Sequence, residues 1–278
     1  MSTVSKKLLF GTAGIPNTAP ASLTLAGIQC AAQLGLECLE IEFVKGLKMG
    51  SDTARKIREQ ARAHNIRLSV HAPYYVNLNA VEEGKRLASQ ERLLSSARIA
   101  EICGAKSAVF HAGYYGNVEA KKTFDTIKDG LKEVVSILKK ERNPVVLRPE
   151  TMGKKTQFGS LEEILFLCRA VDGLQPCIDF SHIHAREGKA NSYAEFHRIL
   201  EKIEKKLGAE ALKNLHIHIS GVEYSKKGEM KHVGLQESDF RYDEWIQALG
   251  DFGVGGMVIC ESPNLEQDAL MLKKLYES

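Results

Sequence analysis

The sequence contains no paired cysteines. Cys30, Cys38, Cys103, Cys168, Cys177 and Cys260 are scattered, and none forms a CxxC. That removes the spacing of a cysteine-rich zinc module or a redox dithiol. Several sit in apolar runs, where cysteine behaves as a small hydrophobe. Their spacing, the chain length and the lack of a secretory leader favour reduced thiols in the cytoplasm. Long hydrophobic runs are missing too. The opening "MSTVSKKLLFGTAGIP" has only a short apolar stretch before a glycine and a proline, too short for a signal-peptide core or a membrane span. No other segment reads as membrane-spanning, and no low-complexity linker divides the chain. Strong charge of one sign is also absent. The formal net charge of +3 neither demands nor opposes a polyanionic partner. Finally, no GxGxxG follows the first apolar run, which disfavours an open dinucleotide-binding sheet.

What is present is a regular alternation. Of the 278 residues, 44% are hydrophobic and 26% charged, enough for one sizeable core. Eight short apolar runs recur: "LLFGTAG", "CLEIEF", "IRLSVHA", "SAVFHAG", "PVVLRPE", "PCIDFSH", "LHIHIS" and "GMVICES". Their length and their Val, Ile and Phe suit buried parallel strands. Helix-like stretches lie between them. One begins at Ser51, read as an N-cap. Another begins at Ser160 with Glu163 three residues on, a capping-box pattern. Eight strand–helix units predict a single (β/α)8 TIM barrel over residues 1–278.

In such a barrel, reactive groups lie at the C-terminal ends of the strands. Strands three to eight all end in metal-type side chains. His71 ends strand three, His111 strand four and Glu150 strand five. Asp179 and His182 end strand six, His216 and His218 lie on strand seven, and Glu261 ends strand eight. His232 follows in the loop after strand seven. Any one of these alone reads as a hydrogen-bonded structural residue. Together they predict a multi-metal site of zinc or manganese, with Glu150 as the natural bridge. His216 and His218 point to one face by the period of two. His218 is nearer the strand end and is taken as the ligand, with His216 deeper and structural. His184 is a weaker candidate, and His64 and His197 read as surface residues.

The order of "VHAPYY", "FHAGYYGN", "PET", "DFSH", the strand-seven histidine and "CESPN" resembles the endonuclease IV family of apurinic/apyrimidinic endonucleases, within the xylose isomerase-like barrel superfamily. The resemblance covers nearly the whole chain. It implies three zinc ions: His71, His111 and Glu150 at the first; Glu150, Asp179, His218 and Glu261 at the second; His182 and His232 at the third. The family's third site also uses an aspartate two residues before its last histidine. Here "KKGEMKHVGL" puts Met230 there, and Glu229 would have to shift by one residue. Two zinc ions are therefore expected, with a third weak, differently ligated or absent.

The implied activity is hydrolysis of the phosphodiester 5′ to an abasic site in double-stranded DNA. A metal-bridged hydroxide would attack phosphorus and leave a 3′-hydroxyl, with Glu150 and Glu261 as the catalytic carboxylates. Tyr74, Tyr75 and Lys45 are the DNA-binding candidates; Tyr74 aligns with a family tyrosine, and Tyr75 stands where an aliphatic wedge is usual. Lys154, Lys155, Lys226, Lys227, Lys231, Tyr114, Tyr115 and Asn117 are further loop candidates. The family suggests a monomer. Two alternatives stay open: a metal-dependent sugar isomerase or epimerase using Glu150 and Glu261 as an acid/base pair, and a DNA-binding homologue with weakened catalysis.

Overall fold

The computed structural model describes residues 7–43 and 46–278. Eight parallel strands lie side by side, and each of the eight apolar runs supplies one. They are β1 (Leu8–Ala13), β2 (Cys38–Glu42), β3 (Arg67–His71), β4 (Ser107–Phe110), β5 (Val146–Pro149), β6 (Cys177–Asp179), β7 (Leu215–Ile219) and β8 (Gly256–Cys260). The strand order is 5-4-3-2-1-8-7-6. The ends of that row meet through bridges Leu147–Leu174 and Glu150–Cys177, which close the barrel.

The helices between the strands carry their apolar residues on one face. In α4 (Ala120–Lys140) the buried residues Thr123, Ile127, Leu131, Val134, Val135 and Leu138 recur at three- and four-residue steps. They join the main core between sheet and helices. Local signals set the helix ends. Gly104 stops α3 (Glu83–Cys103) in the left-handed region, with φ 77°. Ser160 and Glu163 form the expected capping box on α5 (Leu161–Ala170). Helix α2 (Ser51–Ala63) departs from expectation: Gly50 is its N-cap and Ser51 is already helical. Glycine needs no Cβ space there, and no side chain caps that end.

The barrel interior is not uniformly apolar. A small cluster of Cys38, Met257 and Ile259 shares it with buried Glu40, Ser69, His216 and His218. The wall is tight: a Cβ on Gly11 would lie 1.9 Å from the Cys38 carbonyl oxygen. Near the opposite end from the strand termini, Arg148 is 3% exposed and stitches several strands together. Its guanidinium donates to Ser107 Oγ at 2.9 Å, Pro176 O at 2.9 Å, Gln175 Oε1 at 2.9 Å and Asn214 O at 3.0 Å. Burial pulls its pKa down to about 10, which still leaves it charged. Arg148→Met should strand these buried acceptors and cost about 3 kcal/mol of stability. Chemical denaturation checks this; a loss under about 1 kcal/mol would mean that water replaces the guanidinium.

Candidate metal centre

The strand endings converge. His71 is the last residue of β3, while His111, Glu150 and Glu261 directly follow β4, β5 and β8. Asp179 ends β6, and its carboxylate accepts from His182 N at 2.7 Å, capping the next helix. Strand six therefore stops earlier than the sequence suggested. His182 sits on the first turn of α6 (Phe180–Glu187), because the Asp179 cap turns the backbone into a helix. His232 lies on a β-hairpin, Gly221–Ser225 with Gly228–Val233, rather than in an irregular loop.

Glu150 is 1% exposed and stands at the centre. Its Oε2 is 3.2 Å from His71 Nε2 and 3.1 Å from His111 Nε2. Its Oε1 is 3.4 Å from His218 Nδ1 and 3.2 Å from His182 Nδ1. His218 Nδ1 is also 3.2 Å from Glu261 Oε1. Donors about 2.0–2.1 Å from one tetrahedral zinc are separated by roughly 3.3 Å from each other. The spacings around Glu150 match that edge length. Several of these atoms, Glu150 Oε1, Asp179 Oδ2 and His218 Nδ1, are buried without a hydrogen-bond partner. Buried polar atoms left this way are costly unless something binds them. The donor set thus fits divalent cations.

The other ring nitrogen of most histidines meets an acceptor. His71 Nδ1 faces Ala72 O at 2.8 Å, and His182 Nδ1 faces Thr151 O at 3.0 Å. His232 Nδ1 faces Glu261 O at 3.3 Å. His218 Nε2 lies 2.8 Å from Glu40 Oε1. The carbonyl contacts of His71, His182 and His232 hold the proton on that nitrogen and leave the opposite lone pair for a cation; the close approach of Glu40 orients the His218 ring by charge. The same logic separates His182 from the Glu150–Asp179–Glu261 group, even though its Nδ1 is 3.3 Å from Asp179 Oδ2. That nitrogen is committed to Thr151 O, so the free Nε2 points to the hairpin.

The hairpin brings up a third group, His182, Glu229 and His232. His182 Nε2 is 3.3 Å from His232 Nε2 and 3.6 Å from Glu229 Oε2. Glu229 reaches this face through a β-bulge. Val222 pairs with His232 and Glu223 with Lys231, but Tyr224 pairs with Glu229, so Met230 is the extra residue. The bulge reverses the alternation, leaves Met230 62% exposed, and turns Glu229 inward. Gly153 makes room: a Cβ there would lie 2.6 Å from Glu229 Cβ.

Electrostatics follow from burial and crowding. Burial opposes ionisation of Glu150, but the charges of His218 and His111 hold its carboxyl well below the usual range. Burial pushes Asp179 up to about 6 and Glu42 up to about 8. Burial works against a charged His71, yet its bond to Glu150 and the nearby Glu42 raise it to about 10. Burial drives His216 down to about 4, so it is neutral.

Sequence reasoning missed Glu40 and Glu42. Glu40 is fully buried, 3.0 Å from His216 Nε2 as well as 2.8 Å from His218 Nε2, and accepts from Ser69 Oγ. His216 is the deeper, structural histidine, as expected. The signal was available: two glutamates at period two inside the apolar run "CLEIEF". His184 lies outside the centre, paired with Asp239. His64 and His197 are partly exposed.

A cavity of about 380 Å³ opens above these groups, bordered by Glu42, Tyr74, Tyr114 and Lys154. Tyr74 is 47% exposed and its ring stacks over His111 at 5.6 Å and 12°. Tyr75 is 51% exposed, with the Arg92 guanidinium 4.7 Å from its ring centre. Tyr115 is turned away, donating to Glu163 at 2.7 Å. Lys231 pairs with Glu223 at 3.0 Å. Lys154, Lys155, Lys226, Lys227 and Asn117 are exposed. Lys45 lies outside the described residues. Among the described residues, no helix is long and apolar enough to cross a membrane.

Comparison with known proteins agrees with this geometry. Residues 28–275 match the family model of the xylose isomerase-like TIM barrel. The chain is 46% identical over 270 residues to an uncharacterized protein of Methanocaldococcus jannaschii, covering 97% of each. It is 27% identical over 224 residues to a Mycoplasma pneumoniae protein named "Probable endonuclease 4", covering 78% of this chain and 75% of the relative. Among solved structures, endonuclease IV from Thermus thermophilus superposes with a TM-score of 0.71 at 18% identity, covering 91% of this chain and 93% of that one. A D-tagatose 3-epimerase-like protein superposes with a TM-score of 0.73 at 20% identity, covering 98% and 96%. At these identities the two structures speak for the fold alone.

The raised pKa of His71 sets a pH dependence. Without a cation His71 is protonated at pH 7, and ligation requires the neutral ring. A cation bound at His71 must displace that proton, so apparent zinc affinity at that group should rise with pH up to about 10. The slope should be about tenfold per pH unit for each proton displaced. Competition against a chromophoric chelator across the pH range measures it. Affinity that stays flat between about pH 6 and 9 would mean that His71 is already neutral.

Proposed function

The chain belongs to the xylose isomerase-like TIM-barrel family, and from that premise we propose that it is a metal-dependent phosphodiesterase of the endonuclease IV type. The substrate is double-stranded DNA carrying an abasic site, cut on the 5′ side to leave a 3′-hydroxyl. One observation carries the reading: both oxygens of Glu150 face imidazole nitrogens, of His71, His111 and His218, at 3.1–3.4 Å, with the group of His182, Glu229 and His232 beside them. That is more nitrogen donors than a single Lewis-acid site requires.

His71, His111 and Glu150 would hold one cation; Glu150, Asp179, His218 and Glu261 a second; His182, Glu229 and His232 a third. Imidazole and carboxylate suit zinc first, manganese second. When bound, such cations lower the pKa of water and neutralise charge on a transferring phosphate. The protein's own part is orientation. Glu150, shared between two groups, fixes their separation. Glu40 keeps the His218 lone pair turned to the mouth. Glu261, 3.2 Å from His218 Nδ1, closes the second group. Tyr74 covers the His111 ring and screens that side from water. Lys154, at the cavity rim, is placed to meet a phosphate. Tyr75, half exposed and propped by Arg92, is the side chain suited to enter a duplex beside an extruded sugar. The idea of a binding-only homologue rested on the missing aspartate, and Glu229 takes that support away.

A second reading has its own observation. Glu42 borders the cavity, is raised to about 8 by burial, and has a buried oxygen without a partner. Phosphodiester cleavage leaves it unused, whereas a sugar epimerase needs such a proton carrier beside its metal.

Incision of a duplex bearing one defined abasic analogue distinguishes them. Metal-loaded protein should cut it on the 5′ side, a chelator should stop the cut, and Glu150→Ala should fall to the chelated level. No cut by protein with its metals confirmed, together with solvent deuterium appearing in a ketohexose and lost in Glu42→Gln, would move the assignment to the epimerase.

A further inference from the structure

The hairpin that supplies Glu229 and His232 is joined to α6 by a polar contact that uses none of the candidate ligands. Tyr224 is the direct cross-strand partner of Glu229, so both point to the underside of the hairpin. Its hydroxyl donates to Asp239 Oδ2 at 2.7 Å. The other oxygen, Asp239 Oδ1, is 3.2 Å from His184 Nε2. The His184 ring is 3% exposed and meets the Tyr224 ring edge-on at 4.9 Å. His184 is two residues past His182 on α6. Asp239 is itself tied down, its carbonyl accepting from Asn191 Nδ2 at 2.7 Å.

We propose that Tyr224, Asp239 and His184 form a clamp that positions the hairpin against α6 and so assembles the third cation group of His182, Glu229 and His232. The inference rests on the reading of that group given above. The reason is geometric. His182 belongs to α6, while Glu229 and His232 belong to the hairpin, so the group exists only while these two elements keep their spacing. Ligand positions must hold to about 0.5 Å for a cation to be bound well. The backbone contacts of the hairpin secure its tip. Glu229 N donates to Gly153 O at 3.1 Å, and Lys155 N donates to Lys227 O at 3.4 Å. At its base the hairpin meets α6 through Ser181, whose Oγ accepts from Ser220 N at 2.9 Å and donates to Ser220 O at 2.6 Å. The clamp ties the two elements farther along, next to the ligands: Tyr224 sits opposite Glu229, and His184 follows His182. The three clamp residues touch neither the Glu150 group nor the cavity.

The test counts zinc equivalents by chelator competition in the wild type, Tyr224→Phe, Asp239→Ala and Glu229→Gln. The wild type should bind three equivalents. Glu229→Gln should lose the third, identifying it. Tyr224→Phe and Asp239→Ala should keep the first two at wild-type affinity and weaken the third by about tenfold or more. Asp239→Asn, which retains an acceptor, should recover part of that loss. The melting temperature of the metal-free protein gives the control, since Tyr224→Phe keeps the ring and should leave it close to wild type. If Glu229→Gln loses the third equivalent but Tyr224→Phe and Asp239→Ala bind it normally, the clamp is wrong and the third group stands. A uniform loss over all three equivalents would assign the trio a general structural role and overturn the clamp. Two equivalents in the wild type would overturn the third group and the clamp with it.

Discussion

One buried carboxylate organises the molecule. Glu150 holds its negative charge while almost wholly inside the protein, where an uncompensated ion costs several kcal/mol. Its surroundings answer that cost from both sides, with imidazoles facing each oxygen. Those imidazoles must in turn be oriented, and the acceptors that orient them come from elsewhere in the barrel: the Ala72 and Thr151 carbonyls, and Glu40 beneath His218. The requirement spreads downward. Glu40 needs partners of its own, and finds Ser69 and the neutral His216. The polar interior of the barrel is one connected column, built from the mouth down.

The same requirement explains what could be read from the sequence. Parallel strands in a closed barrel are buried on both faces, so the eight apolar runs stood out and each became a strand. A histidine or glutamate ending such a run has no solvent to explain it, so His71, His111, Glu150, Asp179, His218 and Glu261 were legible as one set. Glu40 and Glu42 were not. In "CLEIEF" the alternating glutamates look like the wet face of an amphipathic strand. In a barrel that alternate face is the interior, so the period-two glutamates are a usable signal only when the run is read as a wall of the closed sheet.

Register and turns were the other blind spot. The sequence places His182 at a strand end, but the Asp179 side chain has already capped a helix before that point. The resemblance puts Met230 where the third-site aspartate would stand, two residues before His232, but the bulge inserts one residue and exchanges the faces. Neither feature is carried by hydrophobic pattern. A cap depends on one hydrogen bond, and a bulge on how two strands pair at a distance of several residues.

The bulge also decides where the Glu229 carboxylate lies. Glu229 is one residue earlier than a strictly alternating strand would need and one methylene longer than an aspartate. The bulge corrects the face, and the added length calls for space. Two glycines provide it on opposite sides of the same contact. Gly153 lies where a Cβ would strike Glu229, and Gly228 lies where a Cβ would sit 2.2 Å from Gly153 O. Gly228 is also left-handed, with φ 101°, so the turn of the hairpin and the packing against the loop after β5 are satisfied by one residue. The inward glutamate, the bulged register and the pair of glycines are therefore one structural arrangement. Reading any of them alone suggests damage to the group, whereas together they bring Glu229 into reach of His182 and His232.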